Sequence, residues 1–170
     1  GKKEILEYKK FEDYNKQIEW VVENIEKDIK IEKVPPEAIV VISLDPNKVN
    51  THLPRIQLRL RECNIASIIP GLSGIERDKF AELGFVTLST VYKAKGNEAF
   101  VVYIINFEQL YNVETNLSFI RMRNKAFTSI SRAKGWCRIL GVGLLMDKVI
   151  KEITDIHDKS ITKVNIGNNI

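Results

Sequence analysis

The sequence lacks the features that mark membrane, secreted and metal-binding proteins. Its two cysteines, Cys63 and Cys137, are too far apart for a Cys-x-x-Cys zinc pattern and too few for a disulfide framework. No apolar run approaches the roughly 20 residues of a membrane span, and the first residues lead into no signal-type apolar segment. We therefore expect a cytoplasmic protein with no metal site of its own and no membrane contact.

Two nucleotide-binding signatures are also missing. No Gly-x-x-x-x-Gly-Lys followed by Ser or Thr is present, so the loop that cradles phosphates and supplies a magnesium-binding hydroxyl is absent. No Gly-x-Gly-x-x-Gly follows a predicted strand, which argues against a dinucleotide-binding or flavodoxin-like small-molecule domain. The chain by itself should therefore not hydrolyse ATP.

The composition suits one domain. The 170 residues are 44% hydrophobic, and 26 Lys and Arg against 22 Asp and Glu give a net charge of +4. This mild positive balance permits a polyanionic partner but does not require one, because a solvated surface with a few more lysines explains it equally well.

Helical and strand patterns alternate along the chain. Apolar residues at three- and four-residue steps predict helices at 18–29, 53–63, 119–133 and 145–156. The third of these helices is expected to begin at an N-cap Ser118 and to end at Gly135, and Pro54 is placed in the first turn of the second. Short apolar runs predict strands at 38–44, 65–69, 85–91, 100–106 and 136–142, with one helical turn near 78–83. The expected architecture is α/β, with a mainly parallel sheet and helices on both faces.

A polar loop follows the strand that ends at Thr90. The Thr90 hydroxyl is expected at the carboxyl edge of the sheet, where ligands bind in such folds, and Gly96 lets the backbone approach a ligand. Lys93 and Lys95 add two positive charges. Alternatively, both lysines are solvated loop residues and Gly96 is an ordinary turn glycine. Glu98 either accepts hydrogen bonds from sugar hydroxyls or pairs with Lys95 at the surface.

Arg132 lies near the end of the predicted helix 119–133 and has two explanations. A cation in the last helical turn is favoured by the helix dipole, by roughly 0.3 to 1 kcal/mol, without any catalytic role. A guanidinium in this place is also suited to neutralise charge on a transferring γ-phosphate. We expect Arg132 and the loop after Thr90 to meet at one edge of the sheet.

The segments TVYKAKGNE at 90–98 and NKAFTSISRAK at 124–134 resemble the fifth and sixth motifs of superfamily 1 DNA helicases of the UvrD and Rep type. Seven of the nine positions of the first motif match. The resemblance covers roughly residues 15 to 145 and implies the second, C-terminal RecA-like motor domain, of the P-loop NTPase type. Tyr92 stands where the family has histidine, and Asn97 where it has leucine.

The resemblance implies a role for each matching residue. Thr90, Lys93 and Lys95 would contact the backbone of single-stranded DNA, with RNA as an alternative. Tyr92 would donate a hydrogen bond from its phenol or stack on a base. Contacts to ATP are implied for three residues: Gly96 and Glu98 near its sugar and phosphates, and Arg132 as the catalytic γ-phosphate arginine.

The resemblance also implies an ATP-dependent helicase of which this chain is one part. ATP and Mg²⁺ would be bound mainly by an N-terminal RecA-like domain, and the isolated chain would be inactive. Within the chain we expect an extension at 1–14, the motor domain at 15–156 and a tail at 157–170. The alternative is a RecA-like module that binds nucleic acid or protein without ATP turnover, which the missing phosphate loop favours.

Overall fold

The computed structural model describes residues 5–71 and 80–167, with side chains described for 6–71 and 80–156. The strands are β1 Ile5–Phe11, β2 Ile39–Ser43, β3 Ser67–Ile68, β4 Val86–Thr90, β5 Ala99–Ile105 and β6 Ala133–Val142. The helices are α1 Tyr14–Lys30, α2 Val49–Glu62, α3 Val91–Ala94, α4 Asn116–Ile130 and α5 Leu144–Gly167. Single 3₁₀ turns occupy Pro36–Ala38 and Phe107–Leu110.

All described strand pairs are parallel, in the order β1-β6-β5-β2-β4-β3. Strand β2 is buried throughout because helices cover both faces of the sheet. Its Val41 packs with α1 and α2 on one face, whereas its Ile42 packs with α3, α4 and α5 on the other. The prediction of a mainly parallel α/β sheet with helices on both faces is confirmed, and the arrangement is that of RecA-like domains.

Helix α1 forms where the sequence predicts it. The Asp13 side chain accepts a hydrogen bond from the Lys16 backbone N–H at 2.9 Å and so caps the first turn. The apolar stripe that includes Ile18, Val22 and Ile25 is buried against the sheet.

Three predicted helix boundaries are wrong. Helix α2 begins at Val49, which makes Pro54 its sixth residue rather than a first-turn residue. Helix α4 is capped by Thr115, whose hydroxyl accepts from the Ser118 N–H at 3.1 Å, so Ser118 lies inside the helix. The same helix ends at Ile130, and Gly135 belongs to β6. For α4 a threonine cap and the start of a strand set the two boundaries, and apolar spacing records neither.

The structure also adds elements that the sequence patterns missed. Strand β1 lies within the predicted extension 1–14, where it pairs with β6 at the edge of the sheet. The backbone of α5 stays helical to Gly167, into the predicted tail. Residues 80–83 are not helical, and the rest of the turn predicted there lies outside the described residues. The domain limits 15–156 stay a prediction.

A buried ion pair ties α1 to the sheet. The Arg138 guanidinium on β6 donates to both carboxylate oxygens of Asp28 on α1, at 2.6 and 3.1 Å. The Tyr103 hydroxyl on β5 bonds to both partners, and burial raises the pKa of Tyr103 above its ordinary value. Glu7 on β1 accepts from Arg138 at 3.2 Å. Four elements therefore meet through one charged group.

Removing one member of this pair should be costly. We expect Arg138→Met to lower the free energy of unfolding by about 3 to 5 kcal/mol, because Asp28 would remain buried without a counter-charge. Arg59→Met, which removes an exposed arginine paired with Glu62 at 3.0 Å, should cost less than about 1 kcal/mol. Urea denaturation of both variants measures the difference. Equal losses would contradict the proposed importance of the buried pair.

Candidate functional site

The segment 90–98, here called the connector, runs from the end of β4 to the start of β5. It therefore leads from the side of the sheet where the parallel strands end, the carboxyl edge, to the side where they begin, the amino edge. Ser43 is in register with Thr90 on one side and with Ile105 on the other, so all three lie at the carboxyl edge. Ala99 precedes Ile105 by six residues, which places it about 20 Å away at the amino edge. Because Ala99 pairs with Ala133, Arg132 also lies at the amino edge. The expectation that Arg132 and the loop after Thr90 meet at one edge is therefore wrong for Thr90 and holds only for the second half of the connector.

The first half of the connector lies at the carboxyl edge. The Thr90 hydroxyl accepts from the Lys93 N–H at 3.2 Å and caps α3, so residues 91–94 form a helical turn rather than the predicted loop. Tyr92 is 68% exposed, and the Lys125 ammonium of α4 lies 4.9 Å from the centre of its ring. The Lys93 and Lys95 side chains are also exposed.

The second half of the connector reaches the amino edge beside Arg132. Gly96 has a φ of +83°, and the space where a Cβ would stand is open. The Asn97 amide closes this turn by donating to the Lys93 carbonyl at 3.3 Å. Glu98 forms an ion pair with Lys134 at 3.0 Å, not with Lys95 as the surface alternative assumed.

Arg132 follows α4 directly instead of lying in its last turn. Its Nε donates to the Thr128 carbonyl at 3.2 Å and one of its terminal nitrogens to the Ser131 hydroxyl at 3.1 Å. The contact with Thr128 is the one that the helix-dipole explanation expects. Among the described residues no carboxylate pairs with Arg132. Its backbone carbonyl accepts from the Ala99 N–H at 2.9 Å, which fixes it next to the end of the connector.

The carboxyl edge contains a buried polar cluster that the sequence analysis missed. Asn106 follows β5 in a left-handed conformation, with φ 58°. Its side chain donates to the Ser43 hydroxyl at 2.9 Å, accepts from Gln17 at 2.9 Å and lies 3.2 Å from His52 Nδ1. Burial lowers the pKa of His52. The signal that would have revealed this cluster is a polar residue at the end of each of two central strands: Ser43 is the last residue of β2, and Asn106 directly follows β5.

Glu108 lies beside this cluster. It is 3% exposed, and no described group meets hydrogen-bonding geometry with either carboxylate oxygen, although the Tyr14 hydroxyl is close enough to interact. Burial raises the pKa of Glu108 to about 7, and the negative charge of Asp45 adds to the increase. The carboxyl edge thus holds an acid that titrates near neutrality.

The described part of the chain has neither a metal-binding cluster nor a helix that could span a membrane. Over residues 5–71 and 80–167 there is no group of three or more His, Cys, Asp or Glu side chains suited to hold a metal ion. None of the helices in those ranges combines the length and apolar character needed to cross a bilayer.

Comparison with known proteins shows the fold but not the family. No family model and no curated protein matches the sequence. The fold is similar to the crystal structure of the C-terminal domain of a possible DNA helicase from Lactobacillus plantarum WCFS1, with a TM-score of 0.58 and 14% sequence identity. The match covers 82% of this chain and 75% of that one. At this identity the likeness establishes a shared architecture.

Glu108 should make the stability of the protein depend on pH. Its folded pKa lies above the ordinary carboxyl value, so the folded state keeps a proton between about pH 4.5 and 7 that the unfolded state loses. The contribution of Glu108 to stability should fall by up to about 3 kcal/mol as the pH rises through this range. Glu108→Gln should flatten the profile, whereas exposed Glu114→Gln should leave it unchanged. Chemical denaturation at several pH values tests this, and a Glu108→Gln profile as steep as the wild type would contradict it.

Proposed function

We propose that this chain is the C-terminal motor domain of an ATP-dependent superfamily 1 DNA helicase of the UvrD and Rep type. The observation that carries the proposal is how the connector divides its residues between the two edges of the sheet. At the amino edge the Ala99 N–H bonds to the Arg132 carbonyl, the neighbouring Glu98 pairs with Lys134, and Gly96 lies two residues before Glu98. Thr90 and Tyr92 stand at the carboxyl edge, about 20 Å away. One segment can therefore touch nucleotide and nucleic acid in separate places.

The amino edge fits a nucleotide held by another domain. The open turn at Gly96 leaves room for phosphates to approach the backbone. Arg132 has no carboxylate partner among the described residues, so its charge is available to a γ-phosphate. Glu98 would exchange its contact with Lys134 for sugar hydroxyls. ATP and Mg²⁺ would be bound mainly by an N-terminal RecA-like domain, because this sequence lacks the phosphate-binding loop.

The carboxyl edge fits single-stranded DNA, with RNA as the alternative. The exposed ring of Tyr92 offers a stacking surface, while Lys93 and Lys95 offer two charges for the backbone. Closure of the two motor domains around ATP would complete the catalytic site with Arg132. Reopening would shift this domain along the strand. The connector, whose two ends lie at the two proposed sites, would therefore couple ATP binding to the movement along DNA.

One observation favours a second function, an ATP-independent module that binds nucleic acid or protein. Glu98 is already paired with Lys134, and two donors of Arg132 already bond to Thr128 and Ser131. These contacts pair the Glu98 carboxylate and occupy two of the five N–H donors of Arg132 without a nucleotide. Only loss of ATP turnover on removal of Arg132 separates the two functions.

Arg132→Ala is the decisive substitution. In a protein that joins this chain to its N-terminal RecA-like domain, we expect it to lower the DNA-stimulated ATPase rate by roughly a thousandfold or more, since the charge on the transferring phosphate would go unneutralised. The Arg121→Ala variant, which removes an exposed arginine of the preceding helix α4, serves as the matched control and should keep the rate. An unchanged rate in Arg132→Ala would favour the ATP-independent module.

The lysines of the connector should govern the salt dependence of DNA binding. For single strands each neutralised phosphate contributes about 0.7 to the slope of log K against log salt concentration. The double variant Lys93→Ala with Lys95→Ala should therefore reduce that slope by about 1.4, as measured by titration at several salt concentrations. Lys148→Ala with Lys151→Ala, exposed on α5, is the control. If both double variants gave the same slope of log K against log salt concentration, Lys93 and Lys95 would be solvated residues that do not contact DNA.

A further inference from the structure

A small cavity opens at the carboxyl edge, between the start of α2 and the first turn of the connector. Its volume is about 120 Å³. Its walls include Pro46, Val49, Asn50, Val91, Tyr92 and Lys125. Three elements that are distant in the sequence thus contribute to it: α2, the connector and α4. Lys125 lies in the second helicase-like segment, 124–134, but the resemblance implies no role for it, and the residues of α2 lie outside both segments.

The chemistry of the walls suits a flat, partly apolar ligand that carries negative charge. Val49 and Val91 supply apolar surface, and Tyr92 supplies an exposed aromatic ring. Asn50 adds an amide that donates and accepts hydrogen bonds. None of the described residues that line the cavity is acidic, and no ion pair in the described part of the chain involves Lys125.

The size of the cavity limits the ligand to a single ring. An enclosed cavity of about 150 Å³ admits benzene. The present cavity is slightly smaller but open to solvent, so one six-membered ring can enter while its substituents remain outside. A nucleobase with its sugar and phosphate at the mouth has this form, and base stacking on tyrosine is a common means of holding single strands.

We propose that this cavity holds one base of single-stranded DNA against Tyr92, and that Lys125 contacts the adjoining phosphate. The inference rests on the proposed function, since it names the contact that single-stranded DNA makes at the carboxyl edge. In the free protein the Lys125 ammonium lies 4.9 Å from the centre of the Tyr92 ring, which keeps the lysine at the rim of the cavity. Lys125 is a binding residue supplied by α4, outside the connector.

The test compares two single strands of equal length, oligo(dT) and a strand made entirely of abasic sites. Fluorescence anisotropy gives the affinity of the 170-residue chain for each. Tyr92→Ala should weaken binding to oligo(dT) roughly 5- to 100-fold, because base stacking on an aromatic ring contributes that much. Its binding to the abasic strand should change less than about twofold. Tyr92→Phe should keep the affinity for oligo(dT), since the ring remains.

Lys125→Met tests the phosphate contact and keeps the length of the side chain. It should reduce the salt slope by about 0.7 for both strands. Lys148→Met is the matched control, because the Lys148 ammonium lies 5.9 Å from the centre of the Tyr111 ring, away from the cavity. The control should keep the full slope. If Lys125→Met and Lys148→Met gave equal salt slopes, Lys125 would not contact the phosphate.

The outcomes separate this inference from the proposed function. Equal weakening of both strands by Tyr92→Ala, or no weakening of either, would overturn the base pocket. If Lys93→Ala with Lys95→Ala still lowered the salt slope, the proposed DNA contact would stand without the pocket. A wild-type chain that bound neither strand would overturn both. Because Tyr92 is 68% exposed, its variants should fold, and thermal unfolding verifies this.

Discussion

The parallel pairing of β5 with both of its neighbours is the constraint on which the rest of the structure depends. It places Ala99 against Ala133 at the amino edge and aligns Ile105 with Ser43 at the carboxyl edge. The eight residues between Thr90 and Ala99 must therefore descend about 20 Å. Four helical residues rise about 6 Å and an extended remainder supplies most of the rest, so α3 has room for a single turn. The connector thereby links the two proposed sites.

The polar cluster around Asn106 stabilises the opposite end of β5. From β2 the chain passes into α2 on one face of the sheet, and from β5 it passes toward α4 on the other. This is the switch point at which parallel sheets usually bind ligands. Here Asn106 bonds to Ser43 and Gln17 and lies 3.2 Å from His52 Nδ1, so each of these four buried side chains has a partner. The proposed DNA contacts lie one strand away, at the end of β4.

Several elements could be predicted because their signal is local. Strand β2 is a continuous apolar run covered on both faces, and α1 has a strong apolar stripe with a capping aspartate. Strand β1 was missed because residues 6–10 of this edge strand are all exposed and mix charged with apolar side chains. The limits of α4 were missed because a threonine cap and a strand pairing decided them.

The sequence by itself determined the alternation of helices and strands, the α/β class and the residue types of the two helicase-like segments. The tertiary structure decided which of those residues meet. It assigned Glu98 to Lys134, set Lys125 beside Tyr92 and separated Thr90 from Arg132. The physical reason is that periodicity records only which face of an element is buried. Partners from distant segments depend on strand order and register, which arise when the whole sheet assembles.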